Sequence, residues 1–341
     1  METTLLDLGE RQILRDIIPR FASGAGDDCA SLPIEGGFLL ATTDPVPPPA
    51  AAGIGLDDDP FWAGWLLVTI NVSDLAAAGA RPLGFLAAIE CESSRTIESF
   101  ERLLAGVKAG CEDARIPYVG GNLREATKFA AVGTAIGICQ GYSPLKRIGA
   151  QPGDLVLSIG SGGLFWRDAL RILDTGVMPR KDYSPVFKPR SQISIMHRLA
   201  ERGLVRAAMD NSDGLLPSLA ELAAKNSLKV ELDLDSLTVP DLYPSEHTET
   251  WRYWLGWGDW NVIACADPAC EQEIVEAGAS VGVSVQRIGR LASGEGLVLR
   301  RGTEFFSAPR VESERFARDS WMSKGIGEYV RLLRETTLTK I

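Results

Sequence analysis

A chain of 341 residues, 45% hydrophobic and 23% charged, is long enough for two core-bearing lobes of roughly 150 residues each and too apolar to be disordered. Its formal net charge of −10 gives no long-range attraction for nucleic acid or an anionic membrane, so a polyanionic ligand needs cations held locally. Six scattered cysteines without a Cys-x-x-Cys pair, beside only two histidines, read as core thiols and not as a zinc site or disulfide frame.

The opening METTLLDLGERQ is acidic and has no basic flank before an apolar stretch, unlike a signal or transit peptide, so a cytoplasmic location is expected. Residues 38–43 form a short apolar run ending in Asp44. The segment after it, PVPPPAAAGIGLDDDP, is expected to be a non-helical loop and a candidate lid, because Pro and Gly punctuate it. The most apolar window, 62–80, is interrupted by Asn71 and Asp74 and bounded by Pro60 and Pro82, so it predicts a buried helix and not a membrane span. Asn71 and Asp74 share a face of that helix. Next come a predicted strand at 84–90, a helix at 96–111, a strand at 117–119 ending in Gly120-Gly121-Asn122, and a strand at 130–139. The alternation is α/β.

The stretch LKRIGAQPGDLVLSIG, 145–160, places a Pro-Gly-Asp turn before a fresh apolar strand. It divides the chain into a first lobe at 1–148, a second at 149–310 and a charged tail of helical pattern at 311–341. The second lobe predicts helices near 164–173 and 191–202, a strand at 205–209, a helix from 213, strands at 229–234 and 261–266, and a strand pair near 283–300.

Within it, MDNSDGLLPSLAEL, 209–222, sets Asp210 and Asp213 on a strand-to-helix turn. Ser212 or Asp213 alone reads as a helix cap. The same geometry recurs, however, at Gly26-Asp27-Asp28-Cys29, at Thr42-Thr43-Asp44 and at Ser73-Asp74. Carboxylates about 4 Å apart repel by roughly 4 kcal/mol at an effective dielectric near 20, so a converging set requires cations. Magnesium is the expected one, since it takes hard oxygen ligands and keeps positions for water and phosphate. No Walker or Rossmann glycine signature accompanies the acids. Gly120-Gly121-Asn122 instead offers bare backbone amides, and Lys146-Arg147 offers cations.

In this order GAGDDCASL, TTD, NVSDLAAAGARP, VGGN, LKRIGAQPGD and DNSDGL resemble the thiamine-monophosphate kinase branch of the superfamily that also holds aminoimidazole ribonucleotide synthetase, selenophosphate synthetase and a hydrogenase-maturation protein. The resemblance runs from about residue 24 to 265. It implies a two-lobed α/β (α+β) fold of the aminoimidazole ribonucleotide synthetase type, with a C-terminal α/β sandwich and a homodimer that pairs the N-terminal sheets. It further implies ATP and several Mg2+ ions between the lobes, and a small-molecule phosphate acceptor. Carried over by position, Asp28, Thr43, Asp44, Asp74, Asp210 and Asp213 are the implied metal ligands, with Thr42 and Asp27 beside them. Asp44, Asp74 and Asp210 carry the catalytic role, and Gly121, Asn122, Arg147 and Ser212 contact the nucleotide. The implied chemistry is in-line transfer of the terminal phosphoryl group, driven by positioning and charge neutralisation.

Three departures touch the site. Asn122 stands where these kinases carry aspartate, the loop after Asp44 lacks their histidine, and Gly256-Trp257-Gly258-Asp259-Trp260-Asn261 replaces a Gly-Gly-Glu-Asp-Tyr-Glu segment. Trp254, Trp257 and Trp260, three residues apart, are candidates for a shared aromatic pocket wall, with core packing as the alternative. Two other functions fit the same residues: a ligase working through a phosphorylated amide or carboxylate, and a non-catalytic dimeric nucleotide-binding protein.

Overall fold

The computed structural model describes residues 3–22, 26–53, 56–242, 248–311 and 325–341. The first of its two sheets contains β1 (Ala30–Ile34), β2 (Gly37–Pro45), β3 (Arg81–Cys91), β4 (Tyr118–Glu125) and β5 (Ala130–Gln140), in the order β1-β2-β5-β3-β4. Two long helices, α1 (Pro60–Ala77) and α2 (Ile97–Asp113), pack on each other beside it. β3 and β4 run parallel because α2 carries the chain back between them; the other pairs are antiparallel. Along β5, Ala131, Ala135 and Cys139 are buried, while Val132, Thr134, Ile136 and Ile138 point to the other face and are more open.

The second sheet contains β6 (Leu155–Ile159), β7 (Ala207–Asp210), β8 (Lys229–Asp233), β9 (Val262–Ala266), β10 (Val285–Ala292), β11 (Gly296–Arg301), β12 (Glu304–Ser307) and β13 (Thr339–Lys340). Their order is β13-β12-β11-β8-β10-β6-β9-β7. Around it lie α3 (Leu164–Thr175), α4 (Ile193–Glu201), α5 (Leu215–Asn226), α6 (Glu271–Ser280) and α7 (Ile326–Glu335). β6 and β9 are buried at every position, which is why both read as apolar runs, broken only by Ser158 of β6. One side of this sheet shares a core with Trp166 of α3, Leu219 of α5 and Leu333 of α7. The other side packs on Leu199 of α4, Ile274 of α6 and on α1.

Helix α1 therefore belongs to both lobes. Leu67, Val68, Val72 and Leu75 share one core with Phe85 and Ala135 of the first sheet and with Ala208 and Val262 of the second. A helix apolar all round is buried all round, as the sequence predicts. Asp59 caps its start by accepting from Phe61 N (2.9 Å), and Pro60 occupies the first turn, where no N–H is needed. No helix among the described residues is long and apolar enough to cross a membrane.

Four local expectations change. The loop after Asp44 contains a helical turn at Ala50–Gly53, formed by an alanine run whose helix propensity outweighs the flanking prolines; residues 54–55 lie outside the described ones. Gly120-Gly121-Asn122 lies inside β4 and not at a strand end: Gly121 pairs with Ala87 and Asn122 with Ala88. A Cβ on Gly121 would sit 1.8 Å from Ala87 O at a φ of +154°, so the absence of a side chain lets β4 close onto β3. The helix after Asp210 starts at Leu215 with Gly214 as its N-cap, which leaves neither Ser212 nor Asp213 as the cap. Finally, β12 and β13 extend the second sheet beyond the predicted strand pair, and α7 buries Tyr329 and Leu333 behind them. Residues 312–324 of the expected tail, and Ser23-Gly24-Ala25, lie outside the described residues.

Candidate active site

Three distant segments deliver carboxylates to one point. Asp28 precedes β1, Asp74 lies in the last turn of α1, and Asp210 ends β7. Each offers an oxygen within 4.8 Å of the others. They meet because α1, wedged between the sheets, packs on both β2 and β7. Thr42 Oγ1 donates to Asp74 Oδ2 (2.5 Å), and the neighbouring Ser212 side chain favours the ionised form of Asp210. Arg147 reaches Asp28 Oδ1 from Nη2 (2.5 Å) and Nε (3.1 Å), while its backbone N–H donates to Asp27 Oδ1 (3.1 Å).

The cluster holds more negative charge than it neutralises. At 4.8 Å each ionised pair repels by about 3.5 kcal/mol at an effective dielectric of 20. Burial, with the charges of Asp210, Asp28 and Asp44, pushes the Asp74 carboxyl well above its usual range. Burial and then Asp28 push Asp210 up to about 8. Asp28, its side chain only 4% exposed, is also raised by burial, which outweighs the Arg147 guanidinium. One guanidinium against three acids leaves room for further positive charge, and the donors are all hard oxygens. Carboxylates with an adjoining hydroxyl fit Mg2+ and not a soft metal. Cys29 beside them is driven toward the neutral thiol by burial and by the same acids, so it is inert.

The remaining predicted residues divide. Asp44 follows Thr42 by two on β2, shares its face, and adds its charge to Asp74. Its backbone is clamped by Asn71, which accepts from Asp44 N (2.9 Å) and donates to Asp44 O (3.3 Å). Thr43 faces the other way: its hydroxyl donates to Gly133 O (3.0 Å) and lies 3.2 Å from Thr134 Oγ1. Strand alternation thus gives Thr42, and not Thr43, the contact with the acids. Asp213 is exposed and outside the converging three, though its charge still raises Asp210. Gly121 and Asn122 sit on exposed β4, three strands from β2 and so roughly 14 Å away at ordinary strand spacing. The structure does not bring them to the carboxylates.

Asn71 was visible in the sequence only as a polar interruption of an apolar helix. Its room comes from Gly133, where a Cβ would lie 2.3 Å from Asn71 Nδ2. Trp254 and Trp257 take the core-packing alternative. Trp254 is buried against Gly162 and Gly163, whereas Trp257 packs on Phe165, Trp166 and Tyr329 with ring centroids 5.1, 5.4 and 6.1 Å away. Asp259 between them accepts from Gly163 N (2.6 Å) and Phe165 N (2.8 Å) at the start of α3.

Two family models account for most of the molecule: AIR synthase related protein, N-terminal domain, matches residues 26–139, and AIR synthase related protein, C-terminal domain, matches residues 151–302. The chain belongs to the AIR synthase related family. Among its relatives in that family, a thiamine-monophosphate kinase of Methanospirillum hungatei is 30% identical over 234 residues, 68% of this chain and 77% of that protein. The crystal structure of thiamine-monophosphate kinase from Stenotrophomonas maltophilia is 26% identical with a TM-score of 0.67, covering 88% of this chain and 96% of that one. The structure of AaThiL complexed with AMPPCP and TMP shares the AIR synthase related fold at a TM-score of 0.73 and 24% identity, with the same coverage. This AIR synthase related protein is thus similar over most of its length to thiamine-monophosphate kinases.

Proposed function

We propose that this protein is an ATP- and Mg2+-dependent phosphotransferase of the thiamine-monophosphate kinase type, converting thiamine monophosphate and ATP to thiamine diphosphate and ADP. The observation that carries the reading is the meeting of Asp28, Asp74 and Asp210 within 4.8 Å, drawn from both lobes. Membership of the family and the similarity to thiamine-monophosphate kinases support it. Bound at these oxygens, Mg2+ supplies the positive charge that a triphosphate requires on an acidic protein. Asp28, Asp74 and Asp210 hold it, with Asp44 and Asp213 at the margin. Thr42 fixes the Asp74 carboxylate, and Arg147 restrains Asp28. A phosphate acceptor is already ionised and needs no general base, which agrees with a site built without histidine.

Residues 1–148 form the nucleotide and metal lobe in this reading, 149–310 the second lobe and 311–341 a tail. The protein works in the cytoplasm, where ATP and Mg2+ are supplied. It acts as a homodimer through the open face and edges of the first sheet, where Leu32, Val119 and Leu123 are 57%, 60% and 59% exposed. Light scattering tests the dimer, which a monomer at micromolar concentration refutes.

The decisive assay measures ADP release with thiamine monophosphate and a panel of phosphorylated and amide-bearing metabolites, with and without Mg2+. Mg2+-dependent ADP with a stable phosphorylated product is expected. Free phosphate coupled to a new C–N bond would replace the kinase with a ligase, and no turnover on any acceptor would leave a binding protein.

A further inference from the structure

Below the turn that carries Asp210 and Ser212 runs a chain of buried polar groups that the proposed chemistry does not use. Asn211, Asn261, Ser158 and Ser218 are all buried. Asn211 N donates to Asn261 O (3.0 Å), and Asn211 Nδ2 donates to Asn261 Oδ1 (2.9 Å). Asn261 Nδ2 donates to Ser158 Oγ (2.7 Å), whose own hydrogen goes to Gly160 O (2.8 Å). From the other side Ser218 Oγ donates to Asn211 Oδ1 (3.0 Å).

The direction of every bond is fixed. Ser158 has its hydrogen committed to a carbonyl, so position 261 must present an N–H to it; a carboxylate there would set oxygen against oxygen. With Asn261 Nδ2 so used, Oδ1 must face a donor, and the Asn211 amide supplies it. Flipping either amide would place like groups together and leave a buried donor unpaired. Asn211, between Asp210 and Ser212, is consequently held through its backbone and both side-chain atoms. The turn is bolted to the ends of β6 and β9 and to the first turn of α5, elements of the buried second-lobe core.

We propose that Asn261 and Asn211 are positioning residues: together they fix the orientation of Asp210 for the cation and nucleotide. The inference rests on the phosphotransferase reading and names a requirement that reading does not contain. Apart from the charges gathered at the cluster, it predicts that metal affinity depends on neutral amides on the opposite side of the backbone.

The experiment is calorimetry of Mg2+ and a non-hydrolysable ATP analogue on the full chain, for wild type, N211L, N261L and S218A, with thermal melts of each. L103A, a truncation in α2 where it packs on Gly64 near the start of α1, serves as a control for general destabilisation. The asparagine variants should need roughly 10-fold more Mg2+ for half-saturation, the cost expected when a ligand loses its outer-shell support. S218A should shift in the same direction by less. L103A should lower the melting temperature without moving the Mg2+ requirement. If the asparagine variants do not fold, S218A alone decides. Wild-type-like Mg2+ dependence in the folded variants, or an equal shift in L103A, overturns the positioning role while leaving the phosphotransferase intact. No heat from the wild-type protein would instead remove the phosphotransferase, and the positioning role with it.

Discussion

Asp74 is placed where an ionised carboxylate gains little until a cation arrives. Half-buried beside Asp28 and Asp210, it is held by one hydroxyl hydrogen bond and faced by repelling charges. Replacing it by asparagine keeps the shape and removes the repulsion. Asp74→Asn should therefore raise the melting temperature of the metal-free protein while cutting Mg2+-dependent ADP release by more than roughly 100-fold, beyond the usual loss for an outer-shell partner. A variant that melts lower and keeps its turnover would contradict the metal role. Asp259 illustrates the same physics away from the three acids. Burial lifts its carboxyl to about 7 from the ordinary 3.8, against the pull of the backbone N–H groups of Phe165 and Gly163. Between those values the folded state keeps a proton that the unfolded state has lost, so its contribution to stability falls as pH rises through that window. Melts at pH 4.5 and 7.5 should differ less for Asp259→Asn than for wild type.

At the scale of elements, the legible features were those written in local pattern. The all-round apolar stretch at 62–80 announced a buried helix, and the Asp210 turn was recognisable from a strand running into leucines at helical spacing. What escaped was set by alternation and by partners far along the chain. Thr42 and Thr43 are equivalent as letters, yet only one can face α1, and the pairing of β2 with β5 decides which. Gly120-Gly121-Asn122 read as a strand end because glycine usually terminates strands. It continues one here because Gly121 permits a backbone approach to Ala87 that no other residue allows. Gly121→Ala should accordingly destabilise the protein by more than about 1 kcal/mol, read from denaturant unfolding, since it adds both a clash and a strained φ. Leu67→Ala, in α1, should cost about 2–5 kcal/mol. Asn211 and Asn261, fifty residues apart, could not be paired without the fold.

For the molecule as a whole, the two-lobed architecture and the gathering of acids were foreseeable from the order of motifs, whereas the separation of Asn122 from the acids was not. That separation depends on strand order, which sequence adjacency conceals. Ligand linkage gives a global test. A non-hydrolysable ATP analogue with Mg2+ at a hundred times its dissociation constant should stabilise the fold by about 2.7 kcal/mol, and the analogue with EDTA should give far less. Equal melting curves under both conditions would argue against a metal-bridged nucleotide.

The embedding of α1 in both halves also limits how the enzyme can breathe. A jaw-like opening would tear Val68 and Val72 from one set of neighbours or the other, so the lobes travel as a single piece. Small-angle scattering should then record the same radius of gyration with and without Mg2+ and a non-hydrolysable ATP analogue.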